Sequence, residues 1–228
     1  MRRRLLALAG AALLAVPAAA GAQSWAKWTS FGFGGRFAPD TVKGTLQFGS
    51  QTVNATWIGR NYFVNLNNTG TNYWTPQAAF STGSVTGPGT SDIIALATAT
   101  TNYLMFDVPV QNLYMALNSL GQPGASVTYA FNQNFSILKD NSGGPCPYWG
   151  CGTLSGSGTS TLVGVEGSGI IQFAGYTSSL SWTSTTEVWH GFTVGADNLG
   201  TTVPEPGTLA LLATGLVGLG GVTRRRRT

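Results

Sequence analysis

One histidine, eight carboxylates and two cysteines are all that the 228-residue chain offers for nucleophilic, acid–base or metal chemistry. A Ser-His-Asp site would have to run through His190. In "EVWHGFTVG" that histidine alternates with Val188, Phe192 and Val194, which is the pattern of a strand's core face. The reading is a packed, hydrogen-bonded histidine, with a place beside a ligand groove at Trp189 as the alternative. A glycosidase needs two carboxylates facing each other across an open cleft, roughly 5–10 Å apart. Glu166, in "VEGSG", and Glu187 are the pair to test. No G-x-S-x-G elbow, H-E-x-x-H helix or phosphate-binding glycine loop is written anywhere. "KDNSGG" offers oxygens at Asp140, Asn141 and Ser142, but the same run is turn chemistry and the acids are too few for a calcium cage. No catalytic residue, metal or cofactor is assigned, and the expectation is a non-enzymatic protein.

Two other residue types carry information. Cys146 and Cys151 lie in "GGPCPYWGCG", in a chain whose N-terminus directs export. Cysteines that close pair in oxidising compartments, so a structural disulfide pinning a tight Pro/Gly loop is expected. The C-x-x-C redox spacing is missing, and zinc would lack further ligands. Of seven tryptophans, Trp57, Trp182 and Trp189 sit in alternating runs and read as core, whereas Trp25, Trp28, Trp74 and Trp149 sit in loop-like stretches. Exposed aromatic rings among Asn and Ser stack on sugar rings. Trp74, Trp149 and Trp189 are therefore the candidate ligand-binding residues.

The elements that must position these groups are strands. "GTLQFG", "TVNATWIG", "NYFVNLN", "TNYLMFDVPV", "ASVTYAFNQNFSIL", "IIQFAG", "SSLSWTST" and "EVWHGFTVG" are short β-branched and aromatic runs bounded by turn residues. They recur every 8 to 12 residues, the spacing of a sandwich or barrel. "LYMALNSL" is the one helix-like stretch, and Pro109 and "GQPG" bracket it closely enough to favour a strand. The expected fold is all-β: a single antiparallel β-sandwich, jelly-roll-like, over residues 43–196. Residues 23–42 read as a mobile or edge segment, and 197–203 as a linker.

Charge supports a surface role. Seven of the twelve basic residues stand in the two ends of the chain. Residues 23–203 hold five basic residues against seven acidic ones, a net charge of −2. The basic footprint of a nucleic-acid binder is absent. Hydroxyl and amide side chains supply the polarity instead.

The ends are addresses. "MRRR", an apolar run and "AGAQS" make a signal peptide over residues 1–22, with cleavage between Ala22 and Gln23 and ordinary Sec export. At the other end, Pro204, Glu205 and Pro206 precede an uncharged, glycine-rich run, read as a transmembrane helix at 208–223. Arg224, Arg225, Arg226 and Arg227 follow and hold the terminus in the cytoplasm. From Thr208 to Val222 the run spans about 22 Å, short for a permanent anchor. Residues 204–228 resemble the PEP-CTERM sorting signal of Gram-negative bacteria. The resemblance implies exosortase, a membrane processing enzyme, as partner, with transient residence in the inner membrane. It also implies a place on the cell surface or in the extracellular polysaccharide of a biofilm. "VQNLYMALNSLGQPG", "LVGVEGSGIIQFAGYTSSLSWT" and "EVWHGFTVG" look similar to blocks in other surface proteins with this signal, and suggest a cargo domain with no reaction attached. A carbohydrate-binding module is the alternative, and a glycoside hydrolase the third reading.

Overall fold

The computed structural model describes residues 23–148 and 150–199. Residues 1–22, read as a signal peptide, Trp149 and residues 200–228, with the sorting motif, lie outside the described residues; of the expected linker 197–203, Asn198 and Leu199 are a strand of the fold. Fourteen strands form: β1 Ser24–Trp25, β2 Lys27–Gly32, β3 Asp40–Phe48, β4 Gln51–Gly59, β5 Phe63–Asn65, β6 Ile93–Leu96 and β7 Thr100–Leu120. They continue as β8 Val127–Phe131, β9 Ser136–Asp140, β10 Thr153–Ser155, β11 Thr161–Val165, β12 Gly167–Ser184, β13 His190–Ala196 and β14 Asn198–Leu199. One 3-10 turn, Gln77–Phe80, is the sole helical element among the described residues. Every pairing between strands is antiparallel, and all fourteen join one hydrogen-bonded network.

That network is folded over on itself. Its hinges are the two longest strands, β7 with 21 residues and β12 with 18, which run side by side through register shifts. The first half of β7 pairs with β4, and its second half pairs with β13. Likewise β8 borders the end of β12, while β9 borders its start. The result is two layers sharing β7 and β12. Layer one holds β2, β3, β4, β8, β10 and β11. Layer two holds β5, β6, β9 and β13. Rings from the two layers meet in the core: Trp57 with Phe192 at 6.2 Å, Trp182 with Phe192 at 5.2 Å, and Phe131 with Phe173 at 4.9 Å.

Turn residues that divide the sequence into short runs are bends inside long strands. Pro109 lies within β7, exposed, where the register with β12 slips between Leu104–Met105 and Val110. Proline is tolerated there because a bulge needs no ladder hydrogen bond. Gly175, at φ +90°, makes the matching bend in β12. "LYMALNSL" is strand, joined through Pro109 to "TNYLMFDVPV".

Burial changes at the same bends. β3 alternates between buried and accessible residues along its whole length, and β7 alternates up to Phe106. From Leu113 to Leu120 every residue of β7 is buried, as are all of β6 and β13. Layer two is covered on both faces. Its inner face meets layer one. Its outer face, with Tyr114, Ala116, Ile93 and Ile170, is covered by the 66–92 segment through Trp74, Ala79, Phe80 and Val85. Sheets buried on both sides carry continuous apolar runs, which is how "IIAL" and "LYMAL" read.

The segment 23–42 is part of this fold, and the boundary drawn at residue 43 falls inside β3. β1 pairs with β13, in the register Ser24 opposite Ala196. β2 is an edge strand on β3. Trp28 is fully buried and its indole N–H donates to Thr193 Oγ1 at 3.2 Å. Trp28 reads as a loop residue in sequence because its neighbours on β2 are exposed.

Candidate functional site

His190 begins β13 and points into the core, 1 % exposed. Glu187, three residues earlier, places Oε2 2.9 Å from His190 Nδ1. The same oxygen accepts the Gly121 amide at 2.9 Å. The Glu187 side chain is 3 % exposed, so its carboxylate holds the β7–β8 turn and the histidine from inside the protein. The hydroxyl of Tyr129, whose ring lies 5.3 Å from the imidazole, is fully buried. Burial, reinforced by the nearby Glu187 charge, holds its pKa well above the usual tyrosine range. Phe192 and Val194 share the core with His190, but Val188 is 69 % exposed because it precedes the strand.

Glu166 stands between β11 and β12 with φ +54°, a left-handed turn conformation rare for a residue with a Cβ. Its neighbour across the turn is Gly150, where a Cβ would collide with the Glu166 side chain. The open cleft that a carboxylate pair requires is missing at Glu187, which faces inward. Asp140, Asn141 and Ser142 do not converge as ligands. Asp140 accepts from Ser142 and from the Leu154 amide, and buried Asn141 donates to the Ala79 carbonyl. This is turn and strap chemistry. Among the described residues no group of three His, Cys, Asp or Glu gathers to hold a metal.

A second buried carboxylate, Asp92, precedes β6. Its Oδ1 accepts the Asn68 amide at 2.8 Å, and burial raises its pKa above the usual carboxylate value despite that bond. Asp197 forms a third polar knot. It accepts the Tyr114 hydroxyl at 2.8 Å, Asn112 Nδ2 at 2.9 Å and Gln23 Nε2 at 3.3 Å. Burial, and then the Asp197 acceptor, push Tyr114 up to about 12. Gln23, the residue expected to follow signal cleavage, also accepts from the Thr86 amide and donates to the Ser84 carbonyl. The two ends of the described body therefore meet, Gln23 on Asp197 and β1 on β13.

The aromatic candidates separate sharply. Trp74 is 1 % exposed, its indole N–H on the Asp92 carbonyl at 3.1 Å and its ring edge-on to Phe80. It cannot stack on a ligand, because the 66–92 segment buries it against layer two. Trp149 lies outside the described residues. Trp189 is half-buried on the outer side of layer two, opposite in direction to His190. It meets Phe63 at 5.5 Å and Tyr73 at 5.2 Å. Tyr62 packs on Phe63 at 5.8 Å, and Tyr148 meets Tyr73 edge-on at 5.3 Å. Four segments thus contribute to one aromatic platform. Sequence reasoning missed Tyr62, Phe63, Tyr73 and Tyr148, because nothing local marks residues so far apart in the chain as neighbours.

Cys146 and Cys151 are joined as a disulfide, with Cα atoms 4.8 Å apart. The bond closes the loop that carries Tyr148 to Tyr73. Gly191 supports the platform from below, since a Cβ there would run into Ile93 and touch the Trp189 ring.

The processing residues Pro204, Glu205, Pro206 and Arg224 to Arg227, like the cleavage-side Ala22, lie outside the described residues. The family comparison speaks to the C-terminal set. Residues 202–227 match the model of the PEP-CTERM protein-sorting motif. The chain carries a PEP-CTERM sorting motif. The motif begins three residues beyond β14, the last strand among the described residues. A PEP-CTERM motif marks an exported protein directed to exosortase, a membrane enzyme, and to the cell surface. The match covers the tail alone and leaves the activity of the body open. No curated protein and no solved structure matches the chain.

Proposed function

We propose that the chain is a non-enzymatic surface or extracellular-matrix protein of structural or interaction type, with the β body as the cargo of its PEP-CTERM tail. The observation that carries this reading is the junction itself. The last described strand of the sandwich ends at Leu199, and the motif starts at residue 202. Exosortase processes the chain near Pro204, after signal peptidase has acted between Ala22 and Gln23. A non-enzymatic body is supported by Glu187, whose carboxylate is committed to His190 and Gly121.

The test is expression of the full gene in an exosortase-positive host and its exosortase-null partner. Intact mass and cell fractionation are read in both. Trimming near Pro204 with surface or extracellular location, in the positive host alone, is the expected result. An unchanged tail in the inner membrane of both strains overturns the reading. A second reading, a carbohydrate-binding sandwich, is favoured by the aromatic platform around Trp189.

A further inference from the structure

We propose that the platform of Tyr62, Phe63, Tyr73, Tyr148 and Trp189 is a binding site for a neutral polysaccharide. The proposal rests on the carbohydrate-binding reading and gives it a site and a ligand class.

The platform combines a fixed base with accessible rings. Phe63, Tyr73 and Trp189 are half-buried and packed ring against ring, Tyr73 edge-on to Trp189 and the other two pairs tilted, at 5.2–5.8 Å between centroids. Tyr62 and Tyr148 stand at its two sides, 62 % and 45 % exposed. Both are tyrosines, which pair a ring face for the C–H face of a sugar with a hydroxyl for its O–H groups. Rings held this way lose little entropy when a ligand docks, as they have few rotamers left to fix.

The ligand's charge follows from where the neighbouring charges point. Arg60 adjoins the platform in sequence, but its guanidinium donates to the carbonyls of Gly35 and Arg36 at the β2–β3 turn. Glu187 adjoins it on the other side and turns into the core. Neither is left to pair with a uronate, a sulfate or an amine, and Glu166, whose side chain lies against Gly150 in the loop of Tyr148, repels an anionic polymer, so recognition falls to stacking and neutral hydrogen bonds. Size argues against a protein partner. A stable protein interface takes about 800 Å² from each side with an apolar centre, and two exposed tyrosines offer far less.

The disulfide is part of the site. Tyr148 lies within the six-residue ring closed by Cys146 and Cys151 and meets the platform edge-on at Tyr73. Opening the ring should loosen the loop that seats Tyr148 while leaving the sandwich in place.

Protein matured in its exosortase-positive host is run in native gels holding dextran, laminarin, hydroxyethylcellulose or mannan, and in gels holding alginate as the anionic polymer. Retardation in at least one neutral gel and none in alginate is expected. Tyr62→Ala and Tyr148→Ala should each weaken binding about five- to tenfold. Cys146→Ser/Cys151→Ser should match Tyr148→Ala. Unchanged thermal midpoints for the tyrosine variants show that the fold is intact. Migration unaffected by every neutral polymer overturns the proposal, as does retardation in alginate only, or wild-type binding by both tyrosine variants. A change in native mass on Tyr62→Ala, with no polymer binding, reassigns the platform to a protein contact and also overturns it. Tail mass and cell location are measured on the same samples. Correct sorting without polymer binding sinks this proposal alone, whereas failed sorting sinks the surface-protein reading.

Discussion

At the residue scale, buried polar groups act as rivets. Glu187 Oε2 serves both the Gly121 amide and His190. Glu187→Ala strands two buried groups at once and should cost about 2–4 kcal/mol, measured by urea unfolding. Glu187→Gln keeps an acceptor and should cost less. Tyr114 sets an alkaline limit. Its hydroxyl, pushed up to about 12, keeps its proton in the folded state after the unfolded chain has released it near pH 10. The folded state then binds more protons than the unfolded one, so stability falls as pH rises from about 10 to about 12. Tyr114→Phe should remove part of that slope, seen by comparing unfolding midpoints at pH 9 and pH 11.

At the element scale, the disulfide loop and the platform are separable from the core. The bond spans five positions in sequence, so the chain-entropy model gives only about 2 kcal/mol of stabilisation. Cys146→Ser/Cys151→Ser should lower the thermal midpoint by a few degrees and leave the transition cooperative. Loss of folding altogether would show that the loop holds more than Tyr148. Of the elements, the strands of layer one were legible from their alternation. The long β7 and β12 were not, because Pro109 and Gly175 punctuate a sequence equally well as a turn or as a bulge. Only the pairing of the flanking residues distinguishes the two. The roles of Trp28 and Trp74 were hidden for a related reason: a polar, glycine-rich context says loop, and a loop that covers a sheet is itself core.

At the scale of the whole molecule, the body closes its own ends before the tail begins. β1 pairs with β13, and Gln23 bonds Asp197. The PEP-CTERM motif follows at residue 202. Deleting 202–227 should leave the unfolding transition of the body unchanged and abolish its surface location. Both are measurable by thermal melt and protease shaving of whole cells. A destabilised body would show that the tail is a structural part of the sandwich.

The sequence by itself determined the address and the fold class. A sorting motif is read as a linear string by another protein, and strand alternation is a local period that every residue carries. The apolar runs "IIAL" of β6 and "LYMAL" of β7, against the alternation of β3, are also the local mark of a sheet covered on both faces. Tertiary structure alone decided which aromatic residues are ligand candidates. It buried Trp74, turned His190 and Glu187 inward, and gathered Tyr62, Tyr73, Tyr148 and Trp189 on one surface. That gathering depends on folding one sheet over at two bends and on packing loops from distant parts of the chain. Contacts of that kind arise from the shape of the whole core, and no short window of sequence encodes them.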